Sequence, residues 1–170
     1  MRALRRALDI GVGAVCCGLL AAMIAVLAWQ VFSRYALNAP STFSEEALRF
    51  GVIWVSLLGA AYSTGRGTHM AVDLLREMTR GGVRRALEFL VPLAFLIFSL
   101  AVLVRGGLHG VEIAARQTSP VLQIPMGYIY ASLPVSGALM ALYSVLNLVD
   151  LVRDRRRLPD DLERMIIAGD

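Results

Sequence analysis

Four stretches without a single Asp, Glu, Arg or Lys leave this chain few folds to choose from. They are Ile10–Phe32, Phe50–Gly65, Phe89–Val104 and Met126–Val149, of 23, 16, 16 and 24 residues. Soluble domains scatter apolar residues at helical or strand periods so that one face meets water, whereas here they stand in unbroken blocks. With 57% of its residues hydrophobic and 18% charged, a chain of 170 residues has too little polar surface to cover such blocks in water. In lipid each block must satisfy its backbone internally, which an α-helix does. The expectation is therefore an all-α integral membrane protein with four transmembrane helices. A 16-residue helix reaches only about 24 Å, short of the roughly 30 Å hydrocarbon core. The two short blocks must borrow flanking residues, giving spans of about 10–32, 46–65, 86–105 and 125–150, with Arg49 and Glu88 snorkelling near the span ends.

The first block follows Arg2, Arg5 and Arg6 in the manner of a secretory signal, but its 23 residues exceed the roughly 7–15 of a signal core, so it reads as an anchor helix. All 17 basic residues are Arg. Thirteen fall in the N-terminal arm, the connection between spans 2 and 3, and the tail; four fall in the other two connections. Basic residues collect on the cytoplasmic side, which predicts that both termini lie there. Between spans 2 and 3, residues 69–80 place Met70, Ala71, Leu74, Leu75 and Met78 on one arc and His69, Asp73, Arg76, Glu77 and Arg80 on another. That pattern predicts an amphipathic helix on the membrane surface. Residues 1–152 then form one transmembrane domain, and 153–170, which mix Arg155-Arg156-Arg157 with Asp160, Asp161 and Glu163, a charged and frayed cytoplasmic tail. The basic balance reflects topology and anionic lipid contact; no basic stripe carries the interleaved aromatics of a nucleic-acid site.

Chemistry is sparse. His69 and His109 fall on opposite sides of the membrane in this topology and cannot share a haem or a metal. Cys16 and Cys17 are neighbours in an apolar helix, where free Cys behaves as a small hydrophobe. None of the four blocks carries an ionisable group near its middle, as a self-sufficient ion-coupled transporter needs. No enzyme activity, metal or cofactor is expected, apart from a phospholipid at a subunit interface. What remains is an accessory subunit whose partner does the work, with a redox-complex anchor and a stand-alone exporter as alternatives. Locally, Thr42 and Glu45 have capping-box spacing, and Glu45 and Arg49 are an i, i+4 pair. Stripes of small residues, Ala14, Gly18 and Ala22 in span 1 and Ser132, Ser136, Gly137 and Ala141 in span 4, predict close helix approach within the bundle. Pro134 predicts a kink.

The run Arg34-Tyr35, Asn38-Ala39-Pro40, Ser44-Glu45-Glu46, Arg49, Trp54, Gly59-Ala60-Ala61 and His69-Met70-Ala71-Val72-Asp73, followed by Gln117-Thr118-Ser119-Pro120, Ile124-Pro125-Met126, Tyr130, Pro134 and Gly137-Ala138-Leu139-Met140, resembles the small, DctQ-type membrane subunit of tripartite ATP-independent periplasmic (TRAP) transporters. The resemblance covers roughly residues 10–150. It implies a multi-pass protein of the bacterial inner membrane that pairs with a large multi-span permease subunit and a periplasmic substrate-binding protein for sodium-driven uptake of an organic acid. The small subunit would form a static scaffold beside the moving large one. Carried over by position, Ser44, Glu45, Glu46, Arg49 and Trp54 are expected at the partner interface, with Arg49 suited to a bidentate bond to a carboxylate or lipid phosphate. His69 and Asp73 would pair on the interfacial helix, and Glu112 and Arg116 would meet the binding protein. Phe43 stands where the family pattern has Trp.

Overall fold

The computed structural model describes residues 2–66 and 82–167. The elements are α1 (Arg2–Tyr35), α2 (Thr42–Arg66), α3 (Gly82–Phe98), a π-helical segment (Ser99–Gly106), α4 (Gly107–Ala114), α5 (Gly127–Tyr130) and α6 (Ser132–Ile167). Four stretches are long and apolar enough to cross a membrane: Arg5–Tyr35, Thr42–Arg66, Phe89–Ala114 and Gly127–Val152. The all-α, four-span architecture expected from the sequence is thus present. The predicted amphipathic helix, with His69 and Asp73, lies outside the described residues.

The helices stand more in a row than in a square. α2 packs between α1 and α6, and α6 in turn packs on α3, the π segment and α4. Along α1 the shielded positions, besides Leu8 and Gly13, are Arg5, Asp9, Val12, Cys16, Leu19, Met23, Val26, Gln30 and Ser33, spaced alternately by four and three. That 3.5-residue period is the seam of two helices crossing at a shallow angle. It corrects the expectation for span 1: Ala14, Gly18 and Ala22 are exposed, and larger residues make the seam. On α6 the stripe does what it predicts, since Ser132, Ser136, Gly137 and Ala141 are all buried. A Cβ on Gly137 would stand 2.6 Å from the Leu103 Cβ, so glycine permits the close approach of the π segment.

The third span runs nine residues past the sequence-based limit at 105, to Ala114. Arg105 and Gly106-Gly107 suggest an end, but the Gly107 amide donates to the Leu103 and Val104 carbonyls and carries the helix through. Gly107 itself is a packing residue, because a Cβ there would lie 2.8 Å from the Pro134 Cδ. Arg105 is exposed on the other side. The disturbance expected from Pro134 falls at Ala131, where α5 gives way to α6. Serines cover nearby carbonyls: the Ser132 hydroxyl donates to the Ile129 carbonyl and that of Ser136 to the Ser132 carbonyl, each at 2.6 Å. Polar backbone in lipid needs such local partners. α6 is helical to Ile167.

Candidate functional site

At the end of the bundle opposite the termini, residues 117–126 fold into a tight hairpin. The Met126 amide donates to the Gln117 carbonyl (2.8 Å) and the Ser119 amide to the Ile124 carbonyl (2.9 Å). Pro120 opens the turn, and Gln123 closes it in the left-handed region at φ 54°, its side-chain Nε2 donating to the Pro120 carbonyl at 3.1 Å. This leaves the amides of Val121 and Leu122 without a partner inside the hairpin. Glu46 supplies one: its Oε2 accepts from Leu122 at 2.7 Å and from Val121 at 3.2 Å. Glu46 is 8% exposed.

The start of α2 is built to hold that carboxylate in place. Because α2 begins at Thr42, Ser41 is the N-cap, and its hydroxyl bonds that of the fully buried Ser44 three residues on. The cap therefore sits one residue earlier than the Thr42–Glu45 spacing suggests. Glu45 is exposed near the positive end of the helix. The expected Glu45–Arg49 ion pair is absent among the described residues. Of the five residues expected at a partner interface, Ser44 and Glu46 are thus buried, Ser44 bonded to Ser41 and Glu46 to the hairpin, while Glu45 and Arg49 are exposed and Trp54 is half-buried.

Arg49 and Trp54 border different grooves. Arg49 lies at a groove of about 370 Å³ walled by Phe50, Ile53, Leu57, Met126 and Ile129. Trp54 lines a second, almost wholly apolar groove of about 450 Å³ with Gly11, Val15, Leu58 and Leu139. Glu112 and Arg116 are both exposed near the end of α4 and the hairpin, with the Glu112 carboxylate 3.9 Å from the His109 ring nitrogen.

The opposite end holds a cluster that the sequence reading missed. The Arg5 guanidinium donates to Asp150 (2.8 Å), to the Asn147 side-chain oxygen (3.0 Å) and to the Gly65 carbonyl. The Asn147 amide donates to the Thr64 carbonyl at 2.9 Å. Side chains from α1 and α6 thereby cap the last carbonyls of α2, which would otherwise lack partners. Gly65 also makes room for the fully buried Tyr143, whose ring would lie 2.5 Å from a Cβ there. In sequence, Arg5 and Asp150 look like ordinary charges at span ends; only Asn147, an amide within the last apolar block, hints at a polar contact.

Four spans, and a polar tie between one connection and the second helix, define an integral membrane component. Residues 23–154 match the family of tripartite ATP-independent periplasmic transporters, DctQ component, and the chain belongs to that family. It is 31% identical over 137 residues to the sialic acid TRAP transporter small permease protein SiaQ of Vibrio cholerae, covering 79% of each chain. It is 30% identical over 139 residues to the isethionate TRAP transporter permease protein DctMQ of Oleidesulfovibrio alaskensis, covering 78% of this chain and 22% of that one. Over 91 residues it is 31% identical to the C4-dicarboxylate TRAP transporter small permease protein DctQ of Rhodobacter capsulatus, covering 52% of this chain and 39% of the relative. The chain is a TRAP small permease subunit of the inner membrane, from a family of transport components and not of enzymes.

Proposed function

We propose that the chain is the static membrane partner of a large multi-span permease, in a system where a periplasmic binding protein delivers an organic acid and a sodium gradient drives its uptake. The observation that carries the pairing is the similarity to the isethionate permease, in which the matching stretch belongs to a much longer chain. The names of the relatives speak for the substrate class, since sialic acid, isethionate and C4-dicarboxylate are all organic anions. A supporting role suits spans whose centres carry no charge and a row of helices that leaves broad lateral surface.

In this reading the arginine asymmetry sets both termini in the cytoplasm, so the Glu46–hairpin end faces the periplasm. Glu112 and Arg116 there are rim contacts for the binding protein. Glu45 and Trp54 are the outward candidates for contact with the large subunit, with Arg49 at the edge of that surface, and Ser44 and Glu46 shape it from within.

Co-purification tests the proposal. The chain, tagged at its C-terminus and extracted in mild detergent, should bring a large multi-span permease with it in near-equal amount. Recovery alone, or with a redox enzyme, refutes the pairing.

A further inference from the structure

The structure moves Arg105 from the end of a span to its interior. The third span, Phe89–Ala114, has 26 residues and is about 39 Å long. Centred on a hydrocarbon core of roughly 30 Å, it places Arg105, nine residues before its end, on the order of 9 Å inside the boundary. The neighbouring span gives the same depth. Gly137 meets Leu103 and Gly107 meets Pro134, so Arg105 stands level with Val135 and Ser136, eight to nine residues inside the start of Gly127–Val152.

Ionisable groups this deep almost always face the inside of a bundle, where a partner group meets them. Arg105 faces out of this one. Leu103 and Gly107 turn to α6, whereas Arg105, two residues from each, is exposed on the opposite side of the helix and makes no ion pair or hydrogen bond among the described residues. Helical side chains lean toward the N-terminus, here toward Phe89 and the bilayer centre, so the guanidinium must double back to reach the nearer headgroup layer. Glu112, the carboxylate on the same face, lies seven residues on, roughly 10 Å along the helix. It stands beside the His109 ring instead, at 3.9 Å. Around Arg105 the exposed face continues with Phe98, Val102 and Leu108, and a Cβ on Gly106 would meet nothing within 4 Å.

A lone cation at hydrocarbon depth among apolar side chains complements a helix that brings a carboxylate to the same depth. A second copy of this chain does not supply one, because a two-fold axis along the membrane normal sets Arg105 level with Arg105. We propose that the outer face of the third span, from Phe98 to His109, is a contact within the membrane with the large permease subunit, in which Arg105 pairs with a carboxylate on one of that subunit's spans. The contact rests on the pairing proposed above and adds a charged tie to the outward residues of α2. Bidentate bonding by the guanidinium fixes the depth at which the two chains meet.

The test is recovery of the large subunit with this chain, tagged at its C-terminus and extracted from its own membrane in mild detergent. Arg105→Leu suits an exposed position in lipid, so the amount of this chain in the membrane should hold. Recovery of the large subunit should fall at least roughly tenfold, because the partner's carboxylate loses its counter-charge. Arg105→Lys keeps the charge and should retain more of the large subunit than Arg105→Leu. Independently, benzoylphenylalanine placed at Val102 or Leu108 of the otherwise wild-type chain should photocrosslink to the large subunit in intact membranes, and these crosslinks decide the matter if Arg105→Leu fails to accumulate. Full recovery of the large subunit with Arg105→Leu overturns the proposal and assigns Arg105 to lipid or water, with the pairing itself left standing. Crosslinks to a second copy of this chain, or to no protein, overturn it as well. A wild-type preparation without any large subunit refutes the pairing, and the contact falls with it.

Discussion

Replacing Glu46 by Ala removes both bonds that tie the hairpin to α2. A hydrogen bond to a charged acceptor is worth about 1.5–3 kcal/mol. The 2.7 Å bond to Leu122 belongs in that range and the 3.2 Å bond to Val121 below it, because Val121 is exposed and its amide regains water. The coupling lost is then about 2–4 kcal/mol, a roughly 30- to 700-fold rise in local opening of the hairpin. Amide hydrogen exchange on the purified complex reads this directly. The Val121 and Leu122 amides should exchange at rates near those of an open loop in Glu46→Ala, whereas Glu46→Gln, which keeps an acceptor without its charge, should fall between. Glu45→Ala, one residue away but exposed, should change stability by less than about 0.5 kcal/mol and leave the hairpin protected. Equal protection in Glu46→Ala and the wild type, or equal damage from the two alanine variants, would show that the buried carboxylate does not hold the hairpin.

Glycine contacts give a second set of outcomes. Gly65→Ala and Gly137→Ala place a Cβ 2.5 Å from the Tyr143 ring and 2.6 Å from the Leu103 Cβ, and should each lower unfolding stability in detergent by about 1–3 kcal/mol. Gly18→Ala, with nothing within 4 Å, should be neutral or slightly stabilising in the same assay. At the terminal end, Arg5→Ala should cost about 1–2 kcal/mol because it strips three acceptors at once. Asp150→Asn should cost less than about 1 kcal/mol, since that carboxylate is 45% exposed and its pair is screened by water; added salt should narrow the loss further. With Cys16 and Cys17 replaced by Ala, Arg116→Cys should react with a membrane-impermeant maleimide added to intact spheroplasts; labelling only after lysis would invert the proposed orientation.

The number of spans was legible because hydrophobicity is local: each block must be a helix in lipid whatever surrounds it. The start of α2 was legible to within a residue for the same reason, since caps depend on neighbours three positions away. The burial of small residues was not. Ala14-Gly18-Ala22 and Ser132-Ser136 share one spacing, yet only the second pattern is buried, because a small-residue stripe says that a helix could approach and not that one does. Arg105 misled in the same way, as the length of the third span is set by Gly107 lying against Pro134 and not by the charge beside it.

The paired glutamates show the division most clearly. Their sequence adjacency marks a motif but cannot say which of the two turns inward, for successive helical side chains diverge by about 100°. The choice is made by a hairpin 75 residues later, whose two orphaned amides need a buried acceptor. The sequence by itself determined a four-helix membrane protein with polar chemistry at the helix ends, because chain-local hydrophobicity and capping suffice for that. Only the tertiary structure decided that Glu46 holds the hairpin while Arg49 is left free beside an apolar groove, because both depend on which groups distant segments bring within hydrogen-bonding reach.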